Sequence, residues 1–205
     1  MQKNIYGGLF IAVDGPSGVG KTSLIQQIHD EFHNCGIKTY CTKEPTNTNY
    51  GDFVRTSAET LNKESLACLV AADRYFHLES EIIPRLKNGE IVITDRYVLS
   101  SLVFQRMDGV LEDFILSVNK NVIQPDIQIV VMADIEIIQS RLYARGRDLS
   151  RFKKGHRTNE EIQFLREGIK TLTDLNINVF EIENTNKLQL SGLLAVDYIK
   201  KAIRI

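Results

Sequence analysis

Gly15-Pro16-Ser17-Gly18-Val19-Gly20-Lys21-Thr22 decides the reading of this 205-residue chain. In the spacing G-x-x-x-x-G-K-[ST], glycines let the backbone curl so that its N–H groups point inward at phosphate oxygens. The flanks supply the context this spacing needs. Upstream, Leu9-Phe10-Ile11-Ala12-Val13 is a short apolar run ended by Asp14, the profile of a buried parallel strand. Downstream, Leu24, Ile25, Ile28 and Phe32 recur at helical spacing, and Gly36 follows at a C-cap position. A helix opening near Lys21 adds its positive end to the nest. Lys21 then brings a charge to the β- and γ-phosphates, and the Thr22 hydroxyl can ligate Mg²⁺. The expected ligands are therefore ATP and Mg²⁺, on Gly15, Pro16, Ser17, Gly18, Val19, Gly20, Lys21, Thr22 and Ser23.

Further out, short apolar strands are expected at 39–42, 91–94, 127–132 and 178–182. Between them lie helical stretches: about 65–86, interrupted by Pro84; about 97–124, ending before Pro125; 134–144, N-capped by Asp134; and a last one from about Leu188. Strands alternating with helices predict an α/β fold, the three-layer P-loop arrangement of a five-stranded parallel sheet flanked by helices. One domain is expected over 1–205. The segment 145–155 is basic and nearly lacks apolar phasing, which predicts a mobile loop between two helices.

Lysine and arginine total 25 against 26 acidic residues, a net charge of −1 that advertises neither a nucleic-acid surface nor an anionic membrane as partner. The three cysteines, Cys35, Cys41 and Cys68, have no metal-ligand spacing and read as reduced thiols. No charge-free stretch reaches transmembrane length, so a cytoplasmic protein is expected. A switch GTPase would need N-K-x-D to read guanine; Asn186-Lys187-Leu188-Gln189 ends in an amide instead.

Several segments recur together in order: the stretch 10–23, Glu44-Pro45, Ala71-Ala72-Asp73-Arg74, Asp95-Arg96-Tyr97 with Ser100-Ser101 and Gln105, Pro125-Asp126, and Ala144-Arg145-Gly146-Arg147. The whole chain thus resembles the thymidylate kinase family of nucleoside monophosphate kinases. Asp95 ends a buried strand on the edge where open α/β sheets bind ligands, and there it can hold Mg²⁺ through water alongside Thr22. The adjacent Arg96 has the guanidinium fork suited to an acceptor's phosphate. The resemblance implies a small-molecule acceptor of the nucleoside monophosphate class. It places Glu44 and Pro45 in the acceptor loop, Arg74 against the acceptor base one helical turn after Val70, and Ser101 and Gln105 near that base. It also implies a closing lid at about 145–156 carrying Arg145, Arg147 and Arg151 toward the phosphates, and it extends to this chain the family's habit of homodimers. No basic residue occupies 16–19, which fits charge supplied by the lid.

The departures fall on the acceptor side. Ser17 stands where the family usually has an acid meeting the sugar 3′-hydroxyl, and Val70 where an aromatic stacks on thymine. The acceptor loop reads Lys43-Glu44-Pro45-Thr46-Asn47 instead of Arg-Glu-Pro-Gly-Gly, and Ser150 and Lys153 replace frequent lid acids. Losing a charged hydrogen bond and a stack, at roughly 1 kcal/mol and about 1–3 kcal/mol, would weaken thymidylate binding by a factor of about ten to a thousand. An acid at 17 with an aromatic at 70 should then improve thymidylate use. The leading expectation is transfer from ATP to thymidine monophosphate. The alternatives are a kinase of this type with another small acceptor, and a nucleotide-binding regulator without turnover.

Overall fold

A computed structural model of the chain describes residues 1–144, 158–184 and 188–202, without the side chains of Leu188 and Gln189. Five strands, β1 (Leu9–Asp14), β2 (Thr39–Lys43), β3 (Ile91–Asp95), β4 (Ile127–Met132) and β5 (Val179–Glu183), pair in the order β2-β3-β1-β4-β5. Every pairing is parallel. Alternation along the strands sends side chains to two cores. Phe10, Ala12, Val92 and Val130 pack on one face of the sheet, and Ile11, Val13, Ile93, Ile129 and Val131 on the other.

The second face is covered by α1 (Lys21–Asn34), α7 (Ile135–Ala144) and α9 (Leu188–Ala202), through Leu24, Ile28, Phe32, Ile138, Val196 and Ile199. The first face carries α3 (Lys63–His77), α4 (Ile83–Lys87), α5 (Val98–Met107), α6 (Glu112–Val118) and most of the contacts of α8 (Thr158–Asp174). The expected three layers are present.

Three helical details differ from the sequence reading. Asn49–Ser57 is a further helix, α2, whose N-terminus is capped by the Thr48 hydroxyl accepting from Gly51 N. Only Gly51, Val54 and Ser57 of it are buried, too thin a stripe to register as apolar periodicity. The stretch expected to be helical over 97–124 is two helices, parted where Gly109 takes φ +83°. Between α3 and α4 the chain makes a π-helical turn, Leu78–Ile82, and Pro84, which has no N–H to give, sits in the first turn of α4 just beyond.

The topology sets the site. Only the first connection, β1 to β2, runs toward the β2 edge; the later ones run toward β5, so the winding reverses at β1. Ligands of open α/β sheets bind outside the carboxyl ends of the strands at such a reversal. Register aligns those ends: Val13 and Lys43 both lie opposite Asp95. Among the described residues no helix is long and apolar enough to cross a membrane.

Candidate active site at the carboxyl edge of the sheet

The loop after β1 has the backbone its glycines permit. Gly15 takes φ +148°, and a Cβ there would run into the Val131 carbonyl oxygen of β4. Gly20, at φ +104°, is the left-handed residue from which α1 starts. The Val19 carbonyl is held away from the nest by two donors, Asn184 Nδ2 at 2.7 Å and Arg141 Nη1 at 3.0 Å. Fixing that carbonyl also fixes the peptide plane that carries the next N–H.

Lys21 is 7 % exposed and donates to the Gly15 and Pro16 carbonyls at 2.8 and 3.0 Å. Burial, and next the like charge of Arg96, push its ammonium down to about 7. Asp95, Asp14 and Glu161 pull it the other way, and a polyphosphate on the loop would add to that countercharge. Thr22 and Ser23 follow, exposed, in the first turn of α1.

Thr22 Oγ1 donates to Asp95 Oδ2 at 3.1 Å, while Asp95 Oδ1 is buried without a hydrogen-bond partner among the described residues. A hydroxyl beside a carboxylate with an orphaned oxygen fits Mg²⁺, which takes few protein ligands and keeps several waters. Arg96 adopts φ +80°, strained by about 1–2 kcal/mol for a residue with a Cβ. This turn sets its guanidinium 5.0 Å from the Phe104 ring centre, with Nη1 donating to Ser100 Oγ at 3.1 Å. The Ser100 hydroxyl in turn donates to buried Asp14, which also accepts from Gln128 Nε2 at 3.1 Å. Burial pushes the Asp14 carboxyl up, against the pull of Ser100, Arg96, Lys21 and Gln128.

Next to the loop is a cavity of about 410 Å³. Seven residues expected on the acceptor side line it, Glu44, Pro45, Val70, Arg74, Arg96, Ser101 and Gln105, whereas Ser17, Thr46 and Asn47 do not. Phe104 of α5 and Arg55 of α2 line it too. Arg55 was not legible in the sequence because α2 itself was not; its Nη1 donates to the Pro45 carbonyl at 2.7 Å. The Gln105 side-chain oxygen is buried and unpartnered among the described residues.

Arg74, 1 % exposed, forms part of the wall, but its guanidinium is engaged by protein. Nε donates to Glu44 Oε2 at 2.9 Å, Nη1 to Asn119 Oδ1 at 2.6 Å, and Nη2 to the Tyr97 carbonyl at 3.1 Å and Ser101 Oγ at 3.0 Å. Four acceptors on five N–H groups leave little capacity for a ligand. Behind it, Glu44 Oε1 lies 3.4 Å from Nδ1 of fully buried His77, whose Nε2 meets Thr42 Oγ1 at 2.8 Å. The neighbouring Asp73 accepts from the Thr46 backbone N–H at 2.9 Å and the Thr46 hydroxyl at 2.7 Å. Asp73 thereby braces the Thr46-Asn47 segment in which the acceptor loop departs from the family.

Arg145, Arg147 and Arg151, Ser150 and Lys153 of the expected lid, and Asn186-Lys187 lie outside the described residues. Three residues that shape the loop carried no motif: Arg141 and Asn184, described above, and Glu161 of α8, whose Oε1 accepts from Ser17 N at 3.1 Å.

A strand, a glycine nest and a helix, with a lysine in the nest and an Asp-Arg pair across the cleft, define a P-loop kinase. The family follows from sequence comparison: a family model described as Thymidylate kinase matches residues 13–191, and the chain belongs to the thymidylate kinase family. A probable thymidylate kinase of Caldivirga maquilingensis is 41 % identical over 142 residues, 67 % of this chain and 69 % of that protein. A thymidylate kinase of Brachyspira hyodysenteriae is 31 % identical over 75 % of this chain and 77 % of its own length. A probable thymidylate kinase of Thermococcus onnurineus is 33 % identical over 69 % and 73 %.

Proposed function

We propose that the protein transfers the γ-phosphoryl group of ATP to the phosphate of thymidine monophosphate. The observation that carries this reading is the position of Arg96. It lines the 410 Å³ cavity and also the crevice against Gly15 and Pro16, so one guanidinium borders both the phosphate loop and the acceptor space. A phosphate held there by a bidentate fork would lie beside the end of a triphosphate in the nest, overcoming the repulsion between two anions. Lys21 would leave the Gly15 and Pro16 carbonyls for the β- and γ-phosphates. Magnesium, held by Thr22 and through water by Asp95, would neutralise charge on the same phosphates. The thymine ring would lie between Val70 and Phe104, with the Gln105 amide at its edge. As parts of the same reading, Arg147 and Arg151 act catalytically from a lid at about 145–156, with Arg145 at the nucleotide. The same reading takes the chain as one domain over 1–205 acting in the cytoplasm, and extends to it the family's habit of homodimers.

A second reading, transfer to a different small acceptor, is favoured by Val70 in place of an aromatic and by the Thr46-Asn47 segment pinned to Asp73. ADP release measured with ATP, Mg²⁺ and a panel of nucleoside monophosphates and other small acceptors tests both. Fastest turnover with thymidine monophosphate is expected. Turnover of another acceptor in its place would sink the first reading in favour of the second. Tight ATP binding without transfer to anything would leave a regulator.

A further inference from the structure

We propose that Glu161 is a specificity-determining residue of the acceptor site, its carboxylate receiving a sugar hydroxyl of the acceptor together with the Ser17 side chain. The proposal rests on the nucleoside monophosphate reading and deepens it. Glu161 stands in the first turn of α8, 144 positions from Ser17, yet is only 6 % exposed. Its Oε1 accepts from the Ser17 backbone N–H at 3.1 Å. A carboxylate has room for about four hydrogen bonds, and a buried one is costly when, among the described residues, it has this one. Beside it, Ser17 Oγ is itself buried without a partner among the described residues. The Ser17 hydroxyl and the carboxylate bonded to the Ser17 N–H are thus both left incomplete among the described residues, the arrangement expected where a ligand completes them.

Chemistry narrows what the ligand group is. A carboxylate accepts and repels anions, so neither phosphate can be its partner; a hydroxyl donor can. Geometry narrows where that hydroxyl belongs. Glu161 borders a crevice of about 10 Å³, near the lower limit for one water-sized group. That crevice shares Arg96, Ser100 and Phe104 with the large cavity. A molecule whose phosphate is on Arg96 and whose base reaches Val70 and Gln105 presents its sugar between them, within reach of the crevice. In thymidine monophosphate the 3′-hydroxyl is the only free hydroxyl the sugar has. On this account the carboxylate the phosphate loop lacks at position 17 arrives from α8 instead.

The test is a comparison of kcat/KM for thymidine monophosphate and its 3′-deoxy analogue, in the parent protein and in Glu161→Gln. The parent should prefer the hydroxylated compound by roughly ten- to a hundredfold, the worth of one hydrogen bond to a charged group. In Glu161→Gln that preference should shrink to less than about threefold, the loss falling more heavily on the hydroxylated compound than on the analogue. Equal losses on both compounds would mean that Glu161 only braces the loop, and would overturn the assignment. A parent protein that uses neither compound overturns the acceptor reading and the assignment with it. Should Glu161→Gln fail to fold, Ser17→Asp decides. A second carboxylate against Glu161 should lower thymidine monophosphate use at least tenfold, and a gain would overturn the proposal. Where Glu161→Gln does fold, adding Ser17→Asp to it should restore the lost preference.

Discussion

Replacing Arg74 by methionine should reveal whether that arginine reads the acceptor or holds the protein together. Arg74 and Glu44 are 1 % and 6 % exposed, with Nη2 and Oε2 2.8 Å apart. Removing the cation leaves Glu44 facing only His77 at 3.4 Å and its own backbone surroundings. Breaking a buried pair from one side costs about 3–5 kcal/mol, a large share of the ~5–15 kcal/mol that usually separates folded from unfolded chains. Removing the other charge too, with Glu44→Gln, cancels the uncompensated carboxylate. The double variant should therefore be more stable than the sum of the single losses allows, by about 1–3 kcal/mol. Urea unfolding of the four proteins at pH 7 measures this coupling, with constant slopes confirming a common unfolded state. Additivity within about 0.5 kcal/mol would refute the reasoning. So would unchanged stability in Arg74→Met accompanied by a raised KM for the acceptor, which is what a base contact alone predicts.

Lys21→Ala should retain the fold and lose phosphoryl transfer, because it removes the cation that the loop brings to the phosphates; transfer within tenfold of the parent rate contradicts the donor-site assignment. Asp95→Asn removes the charge beside Thr22 and should raise the Mg²⁺ concentration needed for half-maximal activity by at least tenfold, and an unchanged Mg²⁺ titration contradicts the metal role. Asp14 titrates above its ordinary 3.8 because it is buried, so the folded state is penalised for ionising it. That penalty is absent below the ordinary value and complete above the raised one. Asp14→Asn should consequently gain stability relative to the parent as pH rises above the ordinary 3.8, and a pH-independent difference refutes this.

The donor half of the site was legible because its chemistry is local. The nest, Lys21 and Thr22 lie within eight consecutive residues, and the strand and helix that orient them are their immediate neighbours. Asp95 and Arg96 were legible for a related reason: a buried strand in a parallel sheet delivers whatever follows it to the same edge. The acceptor half was legible as a set of positions, since Glu44, Pro45, Val70, Arg74, Arg96, Ser101 and Gln105 line one cavity, but not as a set of roles. Arg74 looked like a reader of the base, and most of its N–H groups are already taken by Glu44, Asn119, Ser101 and a carbonyl. Position 17 looked like a lost acid, and an acid placed there looked like a gain. With Glu161 already on the Ser17 N–H, the same substitution now brings two like charges together.

By itself the sequence determined the α/β alternation, the phosphate nest and the edge at which the cleft opens, because periodicity and glycine spacing act over a few residues. Only the tertiary structure decided what surrounds the nest. Asn184 reaches Val19 across 165 positions and Glu161 reaches Ser17 across 144, and contacts of that span follow from parallel crossovers stacking distant segments. Hydrogen-bond saturation is likewise a property of assembled neighbours, so whether an arginine is free to meet a ligand is settled only when its competitors for those N–H groups are in place.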